Sequence, residues 1–118
     1  MNGKGKLSEA YAKLWLISQG YKIIKSNYAV RGGEIDIIAK KGDILAFTEV
    51  KARKKGTMVS SLEAVTSEKQ RKIKLAADFY LSSCPEKIKM LQPRFDVIAI
   101  EQNGIFCKVT DYIEDAFS

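Results

Sequence analysis

The chain has 118 residues, with 46% hydrophobic and 29% charged side chains, the composition of an ordinary folded globule. One domain of this length, spanning 1–118, can bury roughly two-thirds of its unfolded surface. The absence of histidine removes Ser-His-Asp and Cys-His nucleophile systems and His-ligated zinc; no Gly-x-x-x-x-Gly-Lys-Ser/Thr loop or Gly-x-Gly-x-x-Gly turn supports a nucleotide cofactor.

In chain order, Leu7, Ala10, Tyr11, Leu14 and Ile17 recur at helical spacing, with Ser8 as N-cap and Gly20 as a stop, so a helix is expected from about Glu9 to Gln19. Tyr21–Ile24 and Tyr28–Val30 read as a short, interrupted strand. Ile35–Ala39 and Ile44–Val50 read as two strands around a turn at Lys41-Gly42-Asp43. Lys54–Val59 has the polarity of a loop, and Ser60-Leu62-Glu63 could open a turn of helix. Ser67 and Gln70 form a capping-box pattern that opens a long helix to about Ser83, ahead of Pro85. Phe95–Ile100 is a strand, Gln102-Asn103-Gly104 a turn and Ile105–Val109 a further strand; Asp111–Phe117 reads as a closing helix. The order α-β-β-β-α-β-β gives an α/β class with a mixed central sheet flanked by helices. A crossover through the long helix would bring Phe95–Ile100 parallel to Ile44–Val50.

A two-residue Gly42-Asp43 loop sets Lys41 opposite Ile44, which carries Asp36 opposite Glu49 and Glu34 opposite Lys51. All four then share one face, with Ile38 and Phe47 nearer the turn needing cover. The other face carries Ile35, Ile37, Ala39, Ala46, Thr48 and Val50 as core. Two facing carboxylates repel unless a cation joins them. A hard divalent ion, Mg²⁺ or Mn²⁺, takes oxygen ligands of this kind. Lys51 would sit beside it, placed to orient an attacking water or to stabilise charge on a phosphate. The bland alternative is a salt-bridged, solvated hairpin face.

The net charge of +6 is concentrated. Between Lys51 and Lys74 lie eight basic residues (Lys51, Arg53, Lys54, Lys55, Lys69, Arg71, Lys72, Lys74) against Glu63 and Glu68, so this segment carries the entire excess. Such a localised surplus is a footprint for a polyanion. Arg53, Lys54, Lys55, Arg71, Lys72 and Lys74 are candidate contacts to backbone phosphates, and Lys69 and Gln70 candidates for a phosphate near the carboxylates.

The stretches Gly33-Glu34-Ile35-Asp36-Ile37-Ile38-Ala39 and Phe47-Thr48-Glu49-Val50-Lys51-Ala52-Arg53 resemble the bacterial YraN family. The resemblance extends to Glu9, Gly20-Tyr21, Asn27-Tyr28, Lys69 and Arg94-Phe95-Asp96, although Ser8 stands where the family usually has glycine. That family's fold is similar to restriction endonucleases, the PD-(D/E)xK group, and to archaeal Holliday-junction resolvases. The resemblance implies a restriction-endonuclease-like sheet, with Asp36 and Glu49 holding the metal, Lys51 as the catalytic lysine and Glu9 completing the site. It implies a metal-dependent endonuclease, structure-selective on DNA, with DNA favoured over RNA and a homodimer allowed. The alternative is a non-catalytic nucleic-acid-binding module; a third reading is a protein-interaction scaffold. No apolar run approaches a membrane span, and Cys84 and Cys107 read as reduced thiols of a cytoplasmic protein. Glu34 is expected to pair with Lys51, Asp96 to anchor the start of its strand, and Trp15, Phe79 and Tyr80 to pack in the core or at its rim.

Overall fold

A computed structural model describes residues 5–56 and 65–118. The expected turn at Ser60-Leu62-Glu63 and the end of the expected loop after Gly56 lie outside them. The elements are α1 (Lys6–Ser18), β1 (Lys22–Val30), β2 (Gly33–Lys41), β3 (Ile44–Lys54), α2 (Ser67–Ser83), the one-turn α3 (Glu86–Lys89), β4 (Gln92–Asn103) and β5 (Phe106–Phe117). The strands form one mixed sheet in the order β1-β2-β3-β4-β5. All neighbours are antiparallel except β3 and β4, which run parallel from Ile44–Gln92 to Lys54–Gln102, as the crossover through the long helix requires. None of the described helices is long and apolar enough to cross a membrane.

Both sheet faces are covered. Against one lies α2, whose Ile73, Ala76, Ala77 and Tyr80 pack on Ile35, Ile38, Leu45, Phe47 and Val97. Against the other lies α1, whose Ala12 and Leu16 pack on Ile37, Ala39, Ala46, Val50, Ile98 and Ile100. Ala12, Ala39 and Ala46 are fully buried, and these small side chains let α1 lie close on the sheet.

Several local readings need correction. Ser8 does not cap α1; Gly5 occupies the N-cap position, and Ser8 is fully buried, its hydroxyl donating to Gln102 Oε1 at 2.7 Å. The apolar set Leu7, Leu14 and Ile17 is exposed, while Ser8, Ala12 and Leu16 face the core. The helix is apolar nearly all round, so its periodicity does not select a face. Thr66, not Ser67, caps α2, its hydroxyl accepting from Lys69 N–H at 3.2 Å; the side chain of Gln70 donates to Val65 O instead. The interrupted first strand is continuous, with a register shift between Ile23 and Lys25 and Asn27 at φ 53°. Asp111–Phe117 is the second half of β5, not a helix. Register shifts against β4, with Asp115 at φ 53°, offset the alternation, so Tyr112, Ala116 and Phe117 mimic helical spacing in a bulged strand. Phe79 is about half exposed, whereas Tyr80 is buried and Trp15 half-buried.

A buried polar knot fastens the outer strands on the α1 side. Asp96, with no exposure, accepts two hydrogen bonds from Arg94 at 2.9 Å, one from Tyr112 OH and one from Asp115 N–H at 3.0 Å. Arg94 also donates to Tyr21 OH at 2.7 Å. Asp96 is thus an anchor, joining β4 to β5 and, through Arg94, to Tyr21 just after α1.

Candidate functional site

The register of the β2–β3 hairpin follows from its turn. Lys41 pairs with Ile44 around Gly42-Asp43, and the ladder continues through Ile38–Phe47 to Ile37–Thr48. Gly42 has φ 60°, while Asp43 is not in the left-handed region, the pattern of a turn with glycine at its first central position.

Past Ile37–Thr48 the ladder stops. In a two-residue hairpin the closing pair exchanges two hydrogen bonds and every second pair outward does the same, so Val50 N–H would belong to the Ile35 carbonyl. Val50 N–H donates instead to Asp36 Oδ2 at 2.8 Å. The Asp36 carboxylate therefore lies between the strands, and the sheet forks there. Beyond the fork β2 remains paired with β1 through Tyr28–Ile35, Ala29–Glu34 and Val30–Gly33, and β3 remains paired with β4 as far as Lys54. The fork also accounts for Ile35, which packs on the α2 side and not with Ile37 on the α1 side as strict alternation predicts.

Glu49 follows Phe47 onto the α2 face of β3. Its Oε2 lies 3.7 Å from Lys51 Nζ and 3.7 Å from Lys69 Nζ, and Lys69 Nζ also donates to Glu34 Oε1 at 3.2 Å. Asp36 and Glu49 are 2% and 1% exposed, while the Lys51 and Lys69 side chains retain 26% and 21%. The carboxylates are thus at the bottom of the site and the ammonium groups at its mouth. Glu34 pairs with Lys69 and not with Lys51, because the fork carries β2 away from β3 before residue 34 while α2 lies directly above.

Gly33 sets the height of α2. A Cβ there would lie 2.5 Å from Lys72 O, 3.1 Å from Ala76 N and 3.3 Å from Ala76 Cβ. The helix backbone rests on this glycine, which brings Lys69, one turn earlier, within reach of Glu34 and Glu49. Glu34, Gly32, Gly33 and Lys72 line a shallow cleft beside this contact.

The remaining candidates are dispersed. Glu9 is half-buried in the first turn of α1, the helix on the opposite sheet face from Glu49. Among the described residues no three His, Cys, Asp or Glu side chains are grouped as a metal site would need, so Glu9 is not brought together with Asp36 and Glu49. Arg53 is half-buried and reaches Thr110 Oγ1 at 3.4 Å and Asp111 at 3.7 Å. Lys54 and Lys55 are exposed at the far end of β3. On α2, Arg71 is exposed and held by Glu68 at 2.8 Å, Lys72 is exposed, and Gln70 and Lys74 are half-buried. The basic segment thus presents two patches, one on α2 and one at the end of β3, with Lys51 on the strand leading to the second. The sequence pointed to Lys69 only as a phosphate contact; its place between two carboxylates depends on the fold of α2 over β2.

Residues 8–100 match the profile of the family described as "Uncharacterised protein family UPF0102". The chain belongs to this family. Within UPF0102, a protein of Dictyoglomus turgidum is 42% identical over 102 residues, covering 85% of each chain. One of Syntrophus aciditrophicus is 39% identical over 113 residues, covering 96% of this chain and 87% of its own. One of Chlorobium chlorochromatii is 41% identical over 118 residues, covering 96% and 89%. The UPF0102 match bears out the YraN-like resemblance at family level, and the matched span holds Asp36, Glu49, Lys51, Lys69 and Asp96.

Proposed function

We propose that this protein is a metal-dependent, nuclease-like phosphodiesterase acting on nucleic acid, with DNA favoured over RNA. The observation that carries the reading is the burial of Asp36 and Glu49 on adjoining strands at the fork, with the Lys51 and Lys69 ammonium groups at the mouth. Burying an ionised carboxylate costs several kcal/mol even after relaxation, and apolar residues of the same volume would be at least as stable there. Asp96, equally buried, spends its carboxylate on the knot between β4 and β5, whereas Glu49, on the strand adjoining Asp36, meets two partly exposed ammonium groups, a setting that supports chemistry.

The donor set fits a hard divalent cation. Mg²⁺ is commonly held by one or two carboxylates and keeps several waters, so Asp36 and Glu49 suffice without Glu9. When bound, Mg²⁺ or Mn²⁺ would supply Lewis-acid stabilisation of charge on a phosphoryl oxygen. Lys51, partly exposed and adjacent to Glu49, would donate to a phosphate oxygen as charge builds there and hold the attacking water by hydrogen bonding. Lys69, now tied to Glu34 and Glu49, would hold the Glu49 carboxylate in place.

A second reading has its own support. The two ammonium groups already neutralise Glu49, so the cluster can serve as a structural ion-pair network in a non-catalytic nucleic-acid-binding module. The deciding experiment incubates purified protein with end-labelled linear, flapped and four-way DNA in Mg²⁺, Mn²⁺ or EDTA. Cleavage that needs metal and is lost in Asp36→Asn supports the phosphodiesterase. Binding without cleavage of any substrate, unchanged in Asp36→Asn and Glu49→Gln, leaves the binding module.

A further inference from the structure

The β4–β5 hairpin ends in Gly104-Ile105, closed by the pair Asn103–Phe106. Gly104 has φ 64° and Ile105 is not in the left-handed region, so the turn needs glycine at its first position and makes no demand for an apolar residue at its second. Yet Ile105 is 78% exposed and its neighbour Phe106 73%. Two large apolar side chains at the tip of a hairpin contribute nothing to the core.

The tip is braced. Gln102 donates through Nε2 to Gly104 O at 3.0 Å and accepts the buried Ser8 hydroxyl at Oε1, which ties the turn to α1. Lys55 N–H donates to Gln102 O at 3.3 Å, which ties the end of β3 to the same residue. Around the tip stand exposed lysines. Lys55 and Lys108 line a cleft with Glu101, Asn103, Phe106 and Cys107, and Lys54 and Arg53 line a second one with Ala52, Gly104 and Gln102. Arg53 is engaged by Asp111, and in the first cleft Lys55 and Lys108 stand against the one carboxylate of Glu101, while Lys54 belongs to the second cleft.

We infer that this hairpin tip is a binding site for unpaired nucleobases, with Phe106 as the stacking platform and Lys55 and Lys108, which share its cleft, holding the flanking phosphates. An exposed aromatic ring set among cations on a rigid support is the arrangement by which proteins hold single strands: the ring takes the π-face of any base, and the cations follow the backbone. The site lies at the end of the same strand that carries Glu49 and Lys51, so a single-stranded segment held there continues the basic surface of β3. The inference rests on the reading of the protein as a nucleic-acid enzyme or binder and adds the form of nucleic acid preferred, unpaired over fully duplex.

The test measures fluorescence anisotropy, in EDTA, of labelled oligothymidylate, oligouridylate and a duplex of equal length with wild type, Phe106→Ala and Phe106→Tyr. Phe106→Ala is expected to lose about tenfold in affinity for one or both single strands, the size of a single base–aromatic stack. Its duplex affinity should stay within about twofold and its salt dependence should be unchanged, because no phosphate contact is removed. Phe106→Tyr keeps the ring and should bind as wild type. Circular dichroism melts, equal for the three proteins, show that the fold is intact. Equal single-strand affinity in wild type and Phe106→Ala overturns the inference while leaving the proposed function standing. So does loss confined to binding of anionic phospholipid vesicles, which would make the tip a membrane-contacting element. Loss of single-strand affinity with no metal-dependent cleavage of any DNA upholds the inference and removes the catalytic reading. No binding to any nucleic acid overturns both.

Discussion

Replacing Gly33 by alanine tests how the fold positions the site. The added Cβ would be 2.5 Å from Lys72 O, about 1 Å inside ordinary carbon contact distance, and also tight against Ala76 N and Cβ. The obstacle is helix backbone, so no rotamer change relieves it; α2 must rise or the start of β2 must fall. Overpacking of this kind costs about 2–3 kcal/mol. In a domain of this size that corresponds to roughly 8–12 °C in Tm, measured by circular dichroism and checked by the urea midpoint. The displacement also lifts Lys69, whose hold on Glu34 is 3.2 Å and on Glu49 3.7 Å, so binding or cleavage should suffer along with stability. Gly42 is the contrasting control. Among the described residues nothing lies within 4 Å of a Cβ there, and its demand comes from φ +60° alone. Gly42→Asn should cost backbone strain of about 1–3 kcal/mol but leave Lys69 in place, so binding or cleavage should hold, whereas Gly33→Ala should lose both stability and function. A Gly33→Ala protein within about 0.5 kcal/mol of wild type would refute the account of α2 resting on this glycine.

Asp36→Asn and Glu49→Gln should lower metal affinity and cleavage together, by calorimetric titration and by rate; Lys51→Ala should leave metal binding nearly intact and reduce the chemical step on the order of a hundredfold, a loss of ~3 kcal/mol. Metal affinity unchanged in both carboxylate variants would exclude them as ligands. If α2 meets phosphates, Lys72→Ala with Lys74→Ala should weaken binding to all sequences alike and flatten the log–log salt slope by about 0.9 for each phosphate that is no longer neutralised; an unchanged slope would mean that α2 faces away from the polyanion. Burial, then the hydrogen bond to Asp96, drives the Tyr112 pKa far above its ordinary value of 10.0. The phenol stays protonated in the folded chain, so this contribution is intact below about pH 10 and falls as the unfolded chain ionises above it, by at most ~1.4 kcal/mol per pH unit. Tyr112→Phe should flatten that alkaline decline in urea titrations, and a decline as steep as wild type would show that Tyr112 ionises normally in the fold.

The hairpin and its neighbours were legible because short-range rules determine them. Gly42-Asp43 sets a two-residue loop, the loop sets the register, and the register holds as far as Ile37 opposite Thr48, one residue short of Asp36 and Glu49. Pro85 ends α2, and the crossover makes β3 and β4 parallel. The misreadings share another origin. Along α1, apolar residues surround the helix, and only the small size of Ala12 against Ala39 and Ala46 decides which side faces in. In β5, two register shifts disguise alternation as helical spacing. Such features depend on partners distant in sequence, which local periodicity does not encode.

The same distinction explains why the candidate site was half visible. Pairing rules carry Asp36 and Glu49 toward each other, yet an uninterrupted ladder would leave Val50 N–H with a backbone carbonyl and the Asp36 carboxylate beside the strand pair. Substituting that carboxylate for the carbonyl parts the strands. Parting them separates Glu34 from Lys51 and leaves Glu34 to a cation from elsewhere. Lys69 supplies it only because α2 lies against a residue with no side chain at Gly33. One hydrogen bond at the fork and one missing Cβ beneath the helix thus exchange the expected Glu34–Lys51 pair for a network in which Lys69 joins Glu34 to Glu49. Breaking the fork bond with Asp36→Ala and the helix contact with Gly33→Ala should therefore be non-additive at the site though separate in stability, since both act on the position of Lys69 relative to Glu49. A double-mutant cycle on nucleic-acid affinity measures this, and effects that simply add there would show that the fork and the helix contact position the site independently.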